Sequence, residues 1–254
     1  MKLNIVPART GFQWVKLGLR TFMRQPLALA ALVFMYSTVA VAMLLVPVVG
    51  PFLMMALVPV GTLGLMAATK VAESGAFPMP TLLLIAFRAS RDRVKSMFVL
   101  GALYAAALFA IVAIVSSLVQ VPGDAKTATD VVDSPEFRIV IAWSALLYVP
   151  ISLAFWHAPA LVHWYGVPPI KSLFFSFVAC MRNLKAFTAY SVAWLAVAGV
   201  IFGASSVAAA FSPWLAGVVF GATSTIATIA FYVSLYFTFR DSFVGADDIP
   251  GEQT

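Results

Sequence analysis

Six stretches of the chain, 27–46, 52–69, 97–119, 139–156, 187–211 and 214–239, are apolar throughout and contain no Asp, Glu, Lys or Arg. A helix rises about 1.5 Å per residue and a bilayer's hydrocarbon core is about 30 Å thick, so runs of about 20 residues predict transmembrane helices. The turns between them can be read directly. Pro47-Val-Val-Gly-Pro51 breaks the first hairpin, and Phe211-Ser-Pro-Trp214 breaks the last, with Ser212 as N-cap and Pro213 at the first helical position. Ser134-Pro135-Glu136 opens the fourth span in the same way. The first run, about 20 residues from Leu27, exceeds a signal-peptide core and is read as an uncleaved anchor.

The segments before each hairpin have a different pattern. Arg9, Gln13, Lys16, Arg20 and Arg24 recur at helical spacing opposite Phe12, Val15, Leu19 and Phe22. From Pro80 to Lys95, one face carries Arg88, Arg91 and Lys95 and the other Leu83, Leu84 and Phe87. After Val167-Pro168-Pro169 a third segment sets Phe174, Phe177, Val178 and Met181 on its apolar side and ends in Arg182 and Lys185. These patterns predict helices lying in the membrane interface. The expected fold class is all-α: a polytopic bundle of six transmembrane helices plus three amphipathic interfacial helices. It forms one transmembrane domain, 1–243, of three pseudo-repeated units (8–70, 79–163 and 168–240), followed by a flexible acidic tail, 244–254.

Composition supports a lipid solvent. Of 254 residues 62% are hydrophobic and 10% charged, against roughly a quarter charged in a soluble domain. The net charge of +6 could suggest nucleic acid, but the positions of the charges exclude it as a partner. Lys2, Arg9, Lys16, Arg20, Arg24, Lys70, Arg88, Arg91, Arg93, Lys95, Lys171, Arg182, Lys185 and Arg240 fall on one side of the six-span scheme. Only Lys126 and Arg138 fall on the other. Cytoplasmic loops retain Lys and Arg, so both termini are expected in the cytoplasm. Juxtamembrane cations attract anionic lipid by about 1 kcal/mol each. The single cysteine, Cys180, cannot form an intrachain disulfide.

Candidate sites follow from these placements. Arg20, Arg24, Arg88, Arg91, Arg93, Lys95, Arg182 and Lys185 could ring an anionic lipid headgroup or a membrane-protein partner. Trp156, His157, Pro159, His163 and Trp164 are read as an interfacial belt, with aromatic rings at headgroup level and histidines facing water or carbonyls. The two histidines are six residues apart, about 120° around an ideal helix, where metal pairs use a spacing of three or four. Gly199-Val-Ile-Phe-Gly203 and Gly217-Val-Val-Phe-Gly221 are small-xxx-small patterns at matching depth, which predicts close packing of the last two helices. Thr223, Ser224, Thr225 and Thr228 could line a polar path, but are expected to bond back to a carbonyl one turn earlier or to glue helices together. Asp124, Asp130, Asp133 and Glu136 are expected in a solvated acidic loop. No paired carboxylate, metal cluster, activated nucleophile or phosphate loop is visible, so no cofactor, metal or enzyme activity is expected.

The run Phe155-Trp156-His157-Ala-Pro159-Ala-Leu-Val-His163-Trp164, the opening Leu3-Asn-Ile-Val-Pro7-Ala-Arg9 and the closing Tyr236-Phe-Thr-Phe-Arg240-Asp241-Ser-Phe243 resemble an uncharacterised family of proteobacterial multi-span proteins. The resemblance implies the bacterial inner membrane and brings no known activity or ligand. Lipid or membrane-partner binding through the basic belt is therefore the first expectation. A small-molecule or lipid transporter with a cavity between repeats is the alternative.

Overall fold

The computed structural model describes residues 2–119 and 134–244; the acidic-loop residues Asp124, Asp130 and Asp133 and the tail beyond 244 lie outside them. Six helical segments are long and apolar enough to cross a membrane: Pro26–Leu45, Gly50–Glu73, Arg91–Leu118, Pro135–Tyr165, Leu184–Ala209 and Pro213–Ser242. In element terms these are α2 (Pro26–Ala42, extended by a 3-10 turn, Met43–Leu45), α3 (Gly50–Ala56) with α4 (Val58–Glu73), α5 (Arg91–Leu118), α6 (Pro135–Phe155) with α7 (Ala158–Tyr165), α9 (Leu184–Ala209) and α10 (Pro213–Ser242). Shorter pieces precede three of them: α1 (Thr10–Arg24), a 3-10 helix (Pro80–Arg88) and α8 (Pro169–Arg182). The caps are those the sequence predicts. Ser134 accepts from the Phe137 N–H at 3.1 Å and Ser212 from the Leu215 N–H at 3.0 Å.

The core lies towards the end of the bundle where α1, α4, α7 and the C-terminal half of α10 meet. Lipid supplies no hydrophobic drive between helices, so dispersion and close backbone approach must hold them. Two closely packed glycines, Gly11 and Gly18, belong to this end. A methyl group on Gly18 would meet Ser234 Cβ at 2.6 Å and Ala230 O at 2.8 Å, and one on Gly11 would collide with the backbone at Ala186 and Tyr190. α1 is thus docked into α9 and α10, with Trp14, Val15 and Phe22 buried and Phe12 left outside.

The close packing expected of Gly199, Gly203, Gly217 and Gly221 is not found. A methyl at any of the four would meet nothing within 4 Å. The four glycines face open space, while Trp194, Val197, Ile201 and Phe220 line a gap of about 430 Å³ between α9 and α10.

Two predicted interfacial helices also differ. The segment from Pro80 to Lys95 is not one helix: its 3-10 part ends at Arg88, Ala89 and Ser90 are extended, and Arg91 already starts the span helix α5. Arg88 therefore sits on a different element from Arg91 and Lys95. α8 buries its small face, Ser172, Ser176, Ala179 and Cys180, while Phe174 and Met181 point outward. Small residues let its backbone approach α6 and α7, and in lipid a large apolar side chain loses nothing by facing out.

The N-terminal segment and the residues that follow α10 clasp each other at the same end of the bundle. Lys2–Leu3 pairs antiparallel with Phe243–Val244. The Asn4 amide donates to the Asp241 carbonyl at 2.9 Å, and the Trp14 indole N–H donates to the Asp241 carboxylate at 2.8 Å. Buried Asn183 accepts from the Val6 N–H at 2.9 Å and donates to the Asn4 carbonyl at 3.0 Å. Arg240 bridges Glu73 at 2.6 Å and Asp241 at 2.9 Å.

Candidate functional site

The basic residues are the first candidates. Arg20, Arg24, Arg88, Arg91, Arg93, Lys95, Arg182 and Lys185 are all exposed, and among the described residues none has an ion-pair partner. Contacts gather the segments that carry them. The Gln25 amide donates to the Ala76 carbonyl at 2.9 Å, joining the end of α1 to the loop after α4. Arg93 donates to the His163 carbonyl at 2.9 Å, joining α5 to the end of α7. Asn183 ties the α8–α9 junction to the N-terminal segment, and Arg240 ties α10 to Glu73. The positively charged segments thus share one end of the molecule, as the six-span scheme requires.

Within that end, Arg88 and Arg93 line the same crevice, about 530 Å³, between the 3-10 helix, the starts of α5 and its preceding loop, and the C-terminal parts of α4 and α7. Its other walls include Val71, Phe77, Met79, Leu82 and Ile85. Sequence periodicity could not pair Arg88 with Arg93, because the turn at Ala89–Ser90 breaks the helical register between them. The arrangement offers two guanidinium groups, which suit phosphate oxygens geometrically, beside an apolar wall that suits an acyl chain.

The histidine-proline segment is core, not belt. α6 stops at Phe155 because Pro159 has no N–H to give and its ring crowds the carbonyl four residues back. The Ser176 hydroxyl accepts from the His157 N–H at 2.9 Å across this break and donates to the Leu153 carbonyl at 2.8 Å. Helix α7 is then buried from Ala158 to Trp164, with small and apolar residues all round, and ends at Gly166 in the left-handed conformation. His157 is fully buried among Phe187, Phe239 and Phe243. The Thr238 hydroxyl donates to the Leu235 carbonyl at 2.7 Å. It is therefore an acceptor for the Trp156 indole N–H at 3.1 Å and for His157 Nε2 at 3.2 Å. That makes His157 the neutral Nε2–H tautomer and leaves Nδ1 without a partner among the described residues. The interfacial reading failed because a Trp-His pair at a predicted span end looks the same whether lipid or protein covers it. No three His, Cys, Asp or Glu side chains gather to hold a metal among the described residues.

The hydroxyls of α10 bond back as expected: Thr223 to Val219 O at 2.6 Å, Ser224 to Gly221 O at 3.2 Å and Thr225 to Gly221 O at 2.7 Å. Sequence reasoning missed a second polar location, a cleft of about 320 Å³ lined by Thr62, Tyr104, Tyr148, Ser152 and Tyr232. Its tyrosines lie on separate spans, so no local spacing links them.

Comparison with known proteins agrees with this architecture. A probable inner membrane protein of Burkholderia thailandensis is 36% identical over 254 residues, covering 96% of this chain and 94% of that one. The chain belongs to the same family. It is a multi-pass inner-membrane protein. No family model matches the sequence, and no solved structure matches it. The relative's name assigns it no reaction, ligand or partner.

Proposed function

We propose that this protein is a non-enzymatic inner-membrane protein that holds anionic lipid at its basic face, and that this face, with both chain ends, is cytoplasmic. The carrying observation is the crevice in which Arg88 and Arg93 stand opposite Phe77, Met79 and Ile85. A phospholipid combines the two chemistries those walls provide. The surrounding cations, Arg20, Arg24, Arg91, Lys95, Arg182 and Lys185, raise the local concentration of anionic headgroups through less specific attraction.

At about 1 kcal/mol per cation, neutralising two weakens phosphatidylglycerol binding about 30-fold. The test is lipid retained by the purified full chain, read by native mass spectrometry. Arg88→Gln/Arg93→Gln loses its retained phosphatidylglycerol, and undiminished retention refutes the reading. Reporter fusions at the two ends check the orientation: an active periplasmic phosphatase at either end overturns it.

The tyrosine-lined cleft and the gaps beside α10 favour a second reading, a carrier of small amphiphiles. Movement of a fluorescent lipid between leaflets of reconstituted vesicles, faster than in empty ones, would mark it.

A further inference from the structure

Four phenols converge from four different spans: Tyr36 on α2, Tyr104 on α5, Tyr148 on α6 and Tyr232 on α10. Tyr104 and Tyr148 touch hydroxyl to hydroxyl at 3.4 Å, a long contact for O–H···O. Tyr232 lines the same cleft, and Tyr36 stands beside Tyr232 with its ring against Gly61. Among the described residues the hydroxyls of Tyr36 and Tyr232 make no hydrogen bond, yet neither is sealed in the core. Tyr232 is a donor open to the cleft, with Tyr36 behind it. Other hydroxyls nearby are spent on their own helix: Thr62 donates to Val58 O at 2.9 Å and Ser152 to Val149 O at 2.8 Å.

Depth sharpens the argument. Tyr36 and Tyr232 each lie ten residues from the basic end of their helices, about 15 Å along the axis, and so near the middle of a core about 30 Å thick. An unmatched hydroxyl there costs free energy unless an acceptor arrives. Among the described residues no Asp, Glu, Lys, Arg or His lines the cleft, so nothing there offsets the desolvation of an ion. Flat rings, Phe155, Trp156 and Phe231, complete the walls, with Phe155 edge-on to Tyr104 at 4.9 Å between centroids.

We infer that the Tyr104–Tyr148–Tyr232 cleft binds an uncharged amphiphile through carbonyl oxygens carried to mid-membrane. A phospholipid cannot serve, because its charged head stays at the interface. Two sources share the required chemistry: the ring carbonyls of a lipid-soluble quinone and the ester carbonyls of a diacylglycerol. The site shares no residue with the Arg88 crevice and stands or falls separately from headgroup binding.

The test is equilibrium binding to the full chain in phosphatidylcholine nanodiscs, with decylubiquinone, 1,2-dioctanoylglycerol and decanoate anion as probes. Saturable binding of either neutral probe, with decanoate not binding, is expected, and the probe that binds identifies the source. Tyr104→Phe/Tyr232→Phe keeps the rings, removes two donors and weakens that binding at least tenfold. Tyr148→Phe alone weakens it two- to fivefold and serves if the double variant fails to fold. Arg88→Gln/Arg93→Gln leaves it unchanged. The inference is overturned if neither neutral probe saturates, if the hydroxyl-free variants bind as tightly as the parent, or if decanoate binds equally well.

Discussion

Alanine at Gly11 and Gly18 should loosen the protein, while alanine at Gly217 and Gly221 should tighten it. At Gly18 the new Cβ would lie 2.6 Å from Ser234 Cβ, well inside ordinary contact, which begins near 3.4 Å. At Gly11 the obstacles are the backbone of Ala186 and Tyr190, which cannot rotate aside. Overpacking of this kind costs about 1–3 kcal/mol per site, and alanine returns about 1 kcal/mol per site in helix propensity. The two positions are about 10 Å apart along α1, far enough for their effects to add. The net loss for Gly11→Ala/Gly18→Ala is therefore about 2 kcal/mol. Gly217→Ala/Gly221→Ala meets open space and gains up to about 2 kcal/mol from propensity alone. A gap of about 4 kcal/mol separates the variants, on the order of 10 °C in a protein of this size. Cys180 supplies the assay. It is the single cysteine and is fully buried, and burial pushes its thiol up to about 12, so a thiol-reactive dye reports only unfolding. Equal melting temperatures, or the opposite order, would refute the placement of α1 and of the α9–α10 gap.

Two other outcomes follow from buried polar groups. Asn183→Ala strands the Val6 N–H and the Asn4 carbonyl, costs about 2–3 kcal/mol and speeds hydrogen exchange at residues 4–6; unchanged protection there would count against the clasp. The Cys180 thiol, held near 12 against an ordinary 9.0, has about a thousandfold less thiolate than a free thiol at pH 8. Maleimide labelling of the folded chain should be slowed by at least that factor. Because folding favours the neutral thiol, its contribution to stability is whole below pH 9 and is lost as pH rises towards 12. Prompt stoichiometric labelling of folded protein would contradict this.

The amino-acid sequence alone determined the solvent and the path of the chain. Uncharged runs, Ser-Pro caps and one-sided Lys and Arg are local properties, and a membrane reads them one segment at a time: hydrophobicity decides insertion, and flanking charge decides sidedness. Hence all six spans, the caps at Ser134 and Ser212 and the gathering of basic segments were legible before any coordinates. Which surfaces meet was not. In lipid, apolarity does not distinguish a face packed on protein from one packed on acyl chains, so Phe174 faces out while Ser176 faces in, and Gly18 rather than Gly217 is the close contact. The same ambiguity hid the burial of His157 and His163. Only the tertiary structure brought Arg88 to Arg93 across a broken helix, and three phenols from three spans to one cleft, because contacts between distant segments leave no period in the sequence.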